Sequence, residues 1–138
     1  LLRGMRTLFL RVRQSSQSAQ QIAETLRSHN AISEVLYPGL PDFPGHDIAA
    51  RQMKDGFGGM LSIRLKAGEA AAIATAAHVQ LWHRATSLGG VESLLEHRGS
   101  IEGAGSPVPL DLLRLSVGIE DPEDLISDLN DALNRATT

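Results

Sequence analysis

Two short stretches hold residue types that could do chemistry together. In "LLRLSVGIE" a single arginine, Arg114, stands among apolar residues on a segment with strand character that should be largely buried. A buried guanidinium needs a partner, because an unpaired charge taken out of water is costly. Two kinds of partner fit. One is an acid of the same chain, such as Glu92 or Glu96. The other is a carboxylate brought from outside, which the planar fork of arginine grips with two hydrogen bonds. In "ATSLGGVESLLEH" the run Ser87-Leu88-Gly89-Gly90 offers a complement. Paired glycines let backbone amides come close to a ligand, and the Ser87 hydroxyl adds one more hydrogen bond. Pattern alone leaves the internal ion pair and the external carboxylate equally open.

Other chemistries lack their residues. With no cysteine there is no disulfide frame and no thiolate metal site. The five histidines, His29, His46, His78, His83 and His97, show no metal-ligand spacing and read as surface or hydrogen-bonded polar residues, so no metal is expected. "GFGG" could turn amides toward a phosphate, yet it lacks the Lys-Ser/Thr of a P-loop and reads as a turn before a strand. Ser87, Ser93 and Ser116 have no nucleophile-elbow context. A net charge of -3 gives no electrostatic case for nucleic acid or an anionic membrane. No apolar run nears the ~20 residues of a membrane span, and no basic leader precedes an apolar run. The lack of cysteine fits a reducing cytoplasm.

The elements that must position these residues follow from periodicity. The length of 138 residues, with 42% hydrophobic and 21% charged, suits one domain with one core. Leu1, Met5, Leu8, Val12, Ser15, Ala19, Ile22 and Leu26 recur at helical steps and predict one long helix, or two with a break near Phe9 to Val12. At ~1.5 Å per residue it would be about 40 Å long, so its first turns should overhang the domain. Asn30 is placed to end it in the left-handed conformation. Residues 32–37 read as a strand and "YPGLPDFPGH" as a loop. Residues 46–54 read as a short helix. Residues 60–65 alternate as a strand, and an alanine-rich helix starts near Gly68. Residues 81–83 read as a strand, "RGSIEGAGSPVPL" as a polar loop, and residues 112–116 as a strand. Asp121 caps a last helix with Pro122 at its first position and Ile126, Leu129 and Leu133 on its buried stripe. The predicted class is α+β, with a small, mostly antiparallel sheet of about four strands covered by helices on one face and a long N-terminal helix.

"LLRGMRTL", "VLYPGLP", "RQMKDGFGGMLSIRLK", "SLGGVESLLEH" and "LLRLSVGIEDPEDLISDL" occur in that order over nearly the whole chain. Together they resemble the C-terminal domain of the cystathionine gamma-synthase-like (Cys/Met metabolism) pyridoxal-phosphate enzymes of fold type I. The resemblance implies a substrate-closing domain, residues 1–138, beside a large cofactor-bearing domain that these residues do not include. It implies that Arg114 binds the α-carboxylate of an amino-acid substrate. Ser87, with Leu88 beside it, would hold substrate next to the cofactor's lysine linkage, and Glu92 would lie where some members read the distal end of the substrate. The implied cofactor is pyridoxal 5'-phosphate, the implied assembly a homo-oligomer, a tetramer built from dimers. The implied reaction of the whole protein is γ- or β-replacement or elimination on cystathionine, an activated homoserine or a related amino acid.

The sequence departs from the family in two places. Its lysines are Lys54 and Lys66, and neither matches the family's cofactor lysine, so no catalytic residue is assigned and this stretch alone should not catalyse the reaction. After "EH" many members continue with a "PASMTH"-like stretch and a longer loop, where this chain has "RGSIEGAGSPVPLD". Substrate choice is therefore not carried over. The start at leucine and the overhanging first helix fit a trimmed or excised segment. The competing reading is a stand-alone, non-catalytic module that holds an amino acid or another protein.

Overall fold

The computed structural model describes residues 1–103 and 105–137. Among them are five strands in one sheet: β1 (Ile32–Leu36), β2 (Met60–Leu65), β3 (His83–Arg84), β4 (Leu94–His97) and β5 (Leu112–Ser116). Their order is β1-β2-β5-β4-β3. Every pairing is antiparallel except β3 with β4. The helices are α1 (Leu2–Met5), α2 (Leu8–Leu26), α3 (His46–Gln52), α4 (Gly68–His78), α5 (Arg98–Glu102) and α6 (Pro122–Ala136).

Strand alternation sorts the side chains onto two faces. Leu61, Ile63, Leu65, Leu95, Leu113 and Leu115 are buried in one core cluster with Ile22 and Leu26 of α2, Ala72 of α4 and Leu129 of α6. Small residues of α4, Ala71, Ala72 and Ala76, let that helix lie close to the sheet. The opposite face carries Ser62, Arg64, Glu96, Arg114 and Ser116, which sit one step out of phase with the core residues. The α+β class, the antiparallel character and the covering of one face by helices agree with the sequence reading.

Several details differ. The N-terminal helix breaks at Arg6–Thr7, earlier than the Phe9 to Val12 region. Arg11 bridges the break: its Nη1 donates to the Gly4 carbonyl (2.9 Å) and to the Thr7 hydroxyl, meeting acceptors the break would leave open. Burial begins only at Ser16, so the apolar residues from Leu1 to Val12 stay outside the core, as an overhanging helix requires. Asn30 does not turn left-handed, because Asp55 is the only non-glycine residue with positive φ among those described. The strand predicted at residues 81–83 is shifted to His83–Arg84. Trp82 instead goes into the core, where its indole N–H donates to the Leu125 carbonyl (3.1 Å), and Asp128 accepts from the backbone amides of Gln80, Leu81 and Trp82. β4 was not legible as a strand. The stretch read as a polar loop opens with α5, whose first turn His97 caps by accepting from Ser100 N; Ala104 of that stretch lies outside the described residues. Asp121 caps α6 as expected, accepting from Glu123 N (2.9 Å).

Candidate functional site

The polar face of the sheet carries two arginines. They stand two ladder positions apart, since Arg64 opposes Leu112 and Arg114 opposes Ser62. Their surroundings differ in one respect. Arg64 is paired with acids on both sides: Nε and Nη2 both donate to the Asp111 carboxylate, at 3.0 and 3.1 Å, and Nη1 lies 3.6 Å from Glu34. Asp111 holds the Arg64 guanidinium above its usual pKa range. This is the two-pronged pair that arginine and a carboxylate make when nothing else competes.

Arg114 is engaged on one side only. Across the β4–β5 ladder it directly opposes Glu96, and its Nε lies 2.7 Å from Glu96 Oε1. Its Nη2 donates to the Thr86 carbonyl at 2.5 Å and reaches the Ser87 carbonyl at 3.4 Å. Nη1 has no hydrogen-bond partner among the described residues. The side chain is 21% exposed. The strand around it is largely buried, as its apolar setting predicts.

The serine-diglycine turn lies over this part of β5. Ser116, two residues beyond Arg114 and on the same face, accepts the Gly89 amide through its hydroxyl (3.1 Å). Gly89 has φ +75°, a conformation that glycine adopts without steric cost, and this bend brings the turn down onto the strand. Ser87 and Leu88 are exposed on its outer side. Leu88, Gly89 and Gly90 line a cavity of about 140 Å³ whose other wall includes Leu8, Gly59 and Met60. The structure thus brings Arg114 and the Ser87 backbone together on the polar face of β5, the middle strand of the sheet, with Leu88 next along the turn.

Glu92 is not part of this contact. Its exposed side chain turns back over Gly90, where an added Cβ would meet Glu92 Oε1 at 2.6 Å. Of the two internal partners open to Arg114 from the sequence, the structure places Glu96 against it. Both lysines are exposed, and neither side chain hydrogen-bonds to the turn or to Arg114. Lys66 follows β2 on the side of Ala31, whose carbonyl accepts its backbone amide. "GFGG" acts as a structural turn: Gly58 N–H donates to Ser16 Oγ and the Gly58 carbonyl accepts the Tyr37 hydroxyl. No group of His, Asp or Glu residues set to hold a metal occurs among the described residues, and no helix among them is long and apolar enough to cross a membrane.

Three participants escaped the sequence reading as members of a site. Thr86 contributes only its carbonyl, which a sequence does not advertise. Ser116 was weighed as a nucleophile and is a turn anchor. Arg98, at the start of α5, donates from Nη1 to the same Glu96 oxygen (2.8 Å) and from Nη2 to Glu102. Glu96 chiefly holds the Arg98 guanidinium above its usual range; desolvation opposes this and Glu102 adds to it.

Known proteins resemble the chain over nearly its whole length. The sequence profile of the Cys/Met metabolism PLP-dependent enzymes matches residues 1–134. Cystathionine gamma-synthase of Mycobacterium tuberculosis is 53% identical over 137 residues, covering 96% of this chain and 35% of that protein. Cystathionine gamma-lyase of Saccharomyces cerevisiae is 43% identical over 145 residues, covering 98% of this chain and 37% of that protein. The crystal structure of metB from Corynebacterium glutamicum superposes with a TM-score of 0.92 at 50% identity, over 96% of this chain and 36% of that one. The chain spans about a third of the length of the relatives it matches.

Proposed function

Because the chain belongs to the Cys/Met metabolism PLP-dependent enzyme family, we propose that these 138 residues form the C-terminal, substrate-closing domain of a transsulfuration enzyme, and that Arg114 grips the α-carboxylate of its amino-acid substrate. The carrying observation is the half-used guanidinium. Arg64 closes its Nε–Nη2 side on Asp111 and has Glu34 beside Nη1, whereas Arg114 pairs with Glu96 at Nε and donates to the Thr86 carbonyl, with no carboxylate at Nη1 among the described residues. A carboxylate is the ligand whose shape matches such a free end. Ser87 and Leu88, exposed beside it, form the lip against which the rest of the substrate would rest.

Pyridoxal phosphate, when bound to such an enzyme, supplies an electron sink for charge developing next to an amino group. The residues present do not make its site, since neither lysine side chain hydrogen-bonds to the serine-diglycine turn or to Arg114. What this chain's residues would do is orientation. Holding the carboxylate fixes the substrate's rotation about its α-carbon, and correct orientation is a large part of enzymatic rate. The reaction of the whole protein would be replacement or elimination on a sulfur amino acid or an activated homoserine.

The exposed apolar strip of Leu1, Leu2, Phe9 and Leu10 supports packing against further protein, as in a homo-oligomer with a large cofactor-bearing domain. The test is Arg114→Ala in the lysine-bearing enzyme that contains this segment. Losing a charged, two-pronged contact should weaken amino-acid binding roughly a hundredfold, while the cofactor's visible absorbance stays in place. Unchanged substrate affinity would remove Arg114 from the site.

A further inference from the structure

A guanidinium presents two pairs of parallel donors: the side, Nε with Nη2, and the end, Nη1 with Nη2. Which pair faces a ligand depends on what holds the other. In Arg114 the side lies against the protein: Nε forms an ion pair with Glu96 Oε1 at 2.7 Å, and Nη2 donates to the Thr86 carbonyl at 2.5 Å. The end remains. Glu96 is itself seated unusually. Its side chain is only 4% exposed, Oε1 accepts from Arg98 and forms a close ion pair with Arg114, and Oε2 is buried with no hydrogen-bond partner among the described residues. A carboxylate placed only to satisfy itself would divide its oxygens between two arginines, or close both on one, as Asp111 does on Arg64. With the Thr86 carbonyl holding Nη2, Glu96 meets Arg114 at Nε alone, through an ion pair, and does not close its fork.

We infer that Glu96 is the positioning residue of the carboxylate grip: it fixes Arg114 by its Nε so that the Nη1–Nη2 end faces the substrate. The inference rests on the reading of Arg114 as the carboxylate-binding residue and adds a role for a group that would not touch the substrate. It also separates the duties of the two cations on Oε1. Arg114 is the residue positioned, whereas Arg98 ties the start of α5 to the same oxygen and to Glu102.

The test combines a spectroscopic readout on this chain with kinetics on the lysine-bearing enzyme that contains it. In the 138-residue chain, hydrogen exchange of the Arg114 Nε–H is followed by ¹H–¹⁵N NMR. Glu96→Ala should speed that exchange about tenfold or more, and Glu96→Gln, whose amide oxygen still covers Nε without the charge, by about threefold. Arg98→Ala should leave it nearly unchanged. In the enzyme, Glu96→Ala should raise KM for the amino acid about tenfold with kcat and cofactor absorbance near wild type, with Glu96→Gln recovering most of the loss. If Glu96 merely staples α5 to the sheet, Arg98→Ala will reproduce the KM effect, and the inference falls. It falls as well if Glu96→Ala leaves Nε–H exchange and KM unchanged while Arg114→Ala raises KM; the carboxylate reading then survives. If Arg114→Ala also leaves KM unchanged, that reading fails with it. Should Glu96→Ala not fold, Glu96→Gln decides, and wild-type exchange together with wild-type KM would overturn the inference.

Discussion

Arg114 and Glu96 are directly opposed residues of neighbouring antiparallel strands, and 2.7 Å separates Nε of one from Oε1 of the other. Opposed positions point to the same face, so the pairing follows from register alone. The sequence poses the internal ion pair and the external carboxylate as alternatives for Arg114. The geometry makes them compatible, because five N–H donors are more than one oxygen and one carbonyl can use.

Lysine should not replace arginine at this position. An ammonium is a point charge with three donors on a flexible stem, and it cannot hold Glu96 and the Thr86 carbonyl while presenting a planar fork. In the lysine-bearing enzyme Arg114→Lys is expected to raise KM for the amino acid roughly tenfold or more. Steady-state kinetics with the cofactor saturating checks this. A wild-type KM would mean that charge alone suffices and that the fork geometry is irrelevant.

The two lysines give a prediction for the 138-residue chain itself. Both are exposed, and neither hydrogen-bonds to the serine-diglycine turn. Mixing the chain with pyridoxal phosphate should therefore yield no stoichiometric covalent adduct in the visible spectrum. A saturable one-to-one adduct surviving gel filtration would contradict this, and mass spectrometry after reduction would show which lysine carries it.

The segment after the serine-diglycine turn is held by a second clamp, between Ser93 and Glu120. Ser93 is fully buried. Its amide donates to Glu120 Oε1 (2.7 Å), its hydroxyl donates to Glu120 Oε2 (2.8 Å), and the same hydroxyl accepts the Gly118 amide (2.8 Å). This ties the "GGVES" segment to "SVGIE". Ser93→Ala would strand a buried N–H and one carboxylate oxygen, at a cost of about 1–3 kcal/mol. Denaturant unfolding of the two proteins at neutral pH measures it; equal midpoints with equal slopes would show that the clamp contributes nothing.

Periodicity made the core side of the fold legible. The alternation of Leu61, Ile63 and Leu65 gave β2 with its bounds, and Asp121-Pro122 marked the start of α6, because each signal is local. β4 was hidden since "LLEH" is short and buried throughout, so it shows no alternation of burial. Its strand character comes from pairing with β5 across an intervening loop and α5. The break at Arg6–Thr7 depends on Arg11 reaching back to Gly4 and Thr7, a contact that apolar spacing does not encode. At the site, a strong side-chain type in an apolar setting pointed to Arg114. The Thr86 carbonyl and the choice of Glu96 over Glu92 depend on register, which requires knowing that β4 exists.

Tyr37 links stability to alkaline pH. It is fully buried, and its hydroxyl donates to the Gly58 carbonyl (2.9 Å), with the Ser16 carbonyl at 3.3 Å. Burial pushes its pKa above the ordinary 10.0; the hydrogen bond with Ser16 works the other way, and the charge of Glu24 adds to the rise. The folded state therefore holds its proton more tightly than the unfolded chain. By linkage this contribution to stability is complete below the unfolded value of 10.0 and is lost as pH climbs from there through the folded pKa. Tyr37→Phe removes the dependence and costs about 1 kcal/mol at neutral pH through the lost hydrogen bond. Unfolding free energies of both proteins, measured at neutral pH and at steps above 10.0, should converge as the wild type loses its advantage. The chain has one tyrosine, so its tyrosinate absorbance reports the same ionisation directly. Parallel curves for the two proteins, or a tyrosinate transition at the ordinary value in the folded state, would rule the linkage out.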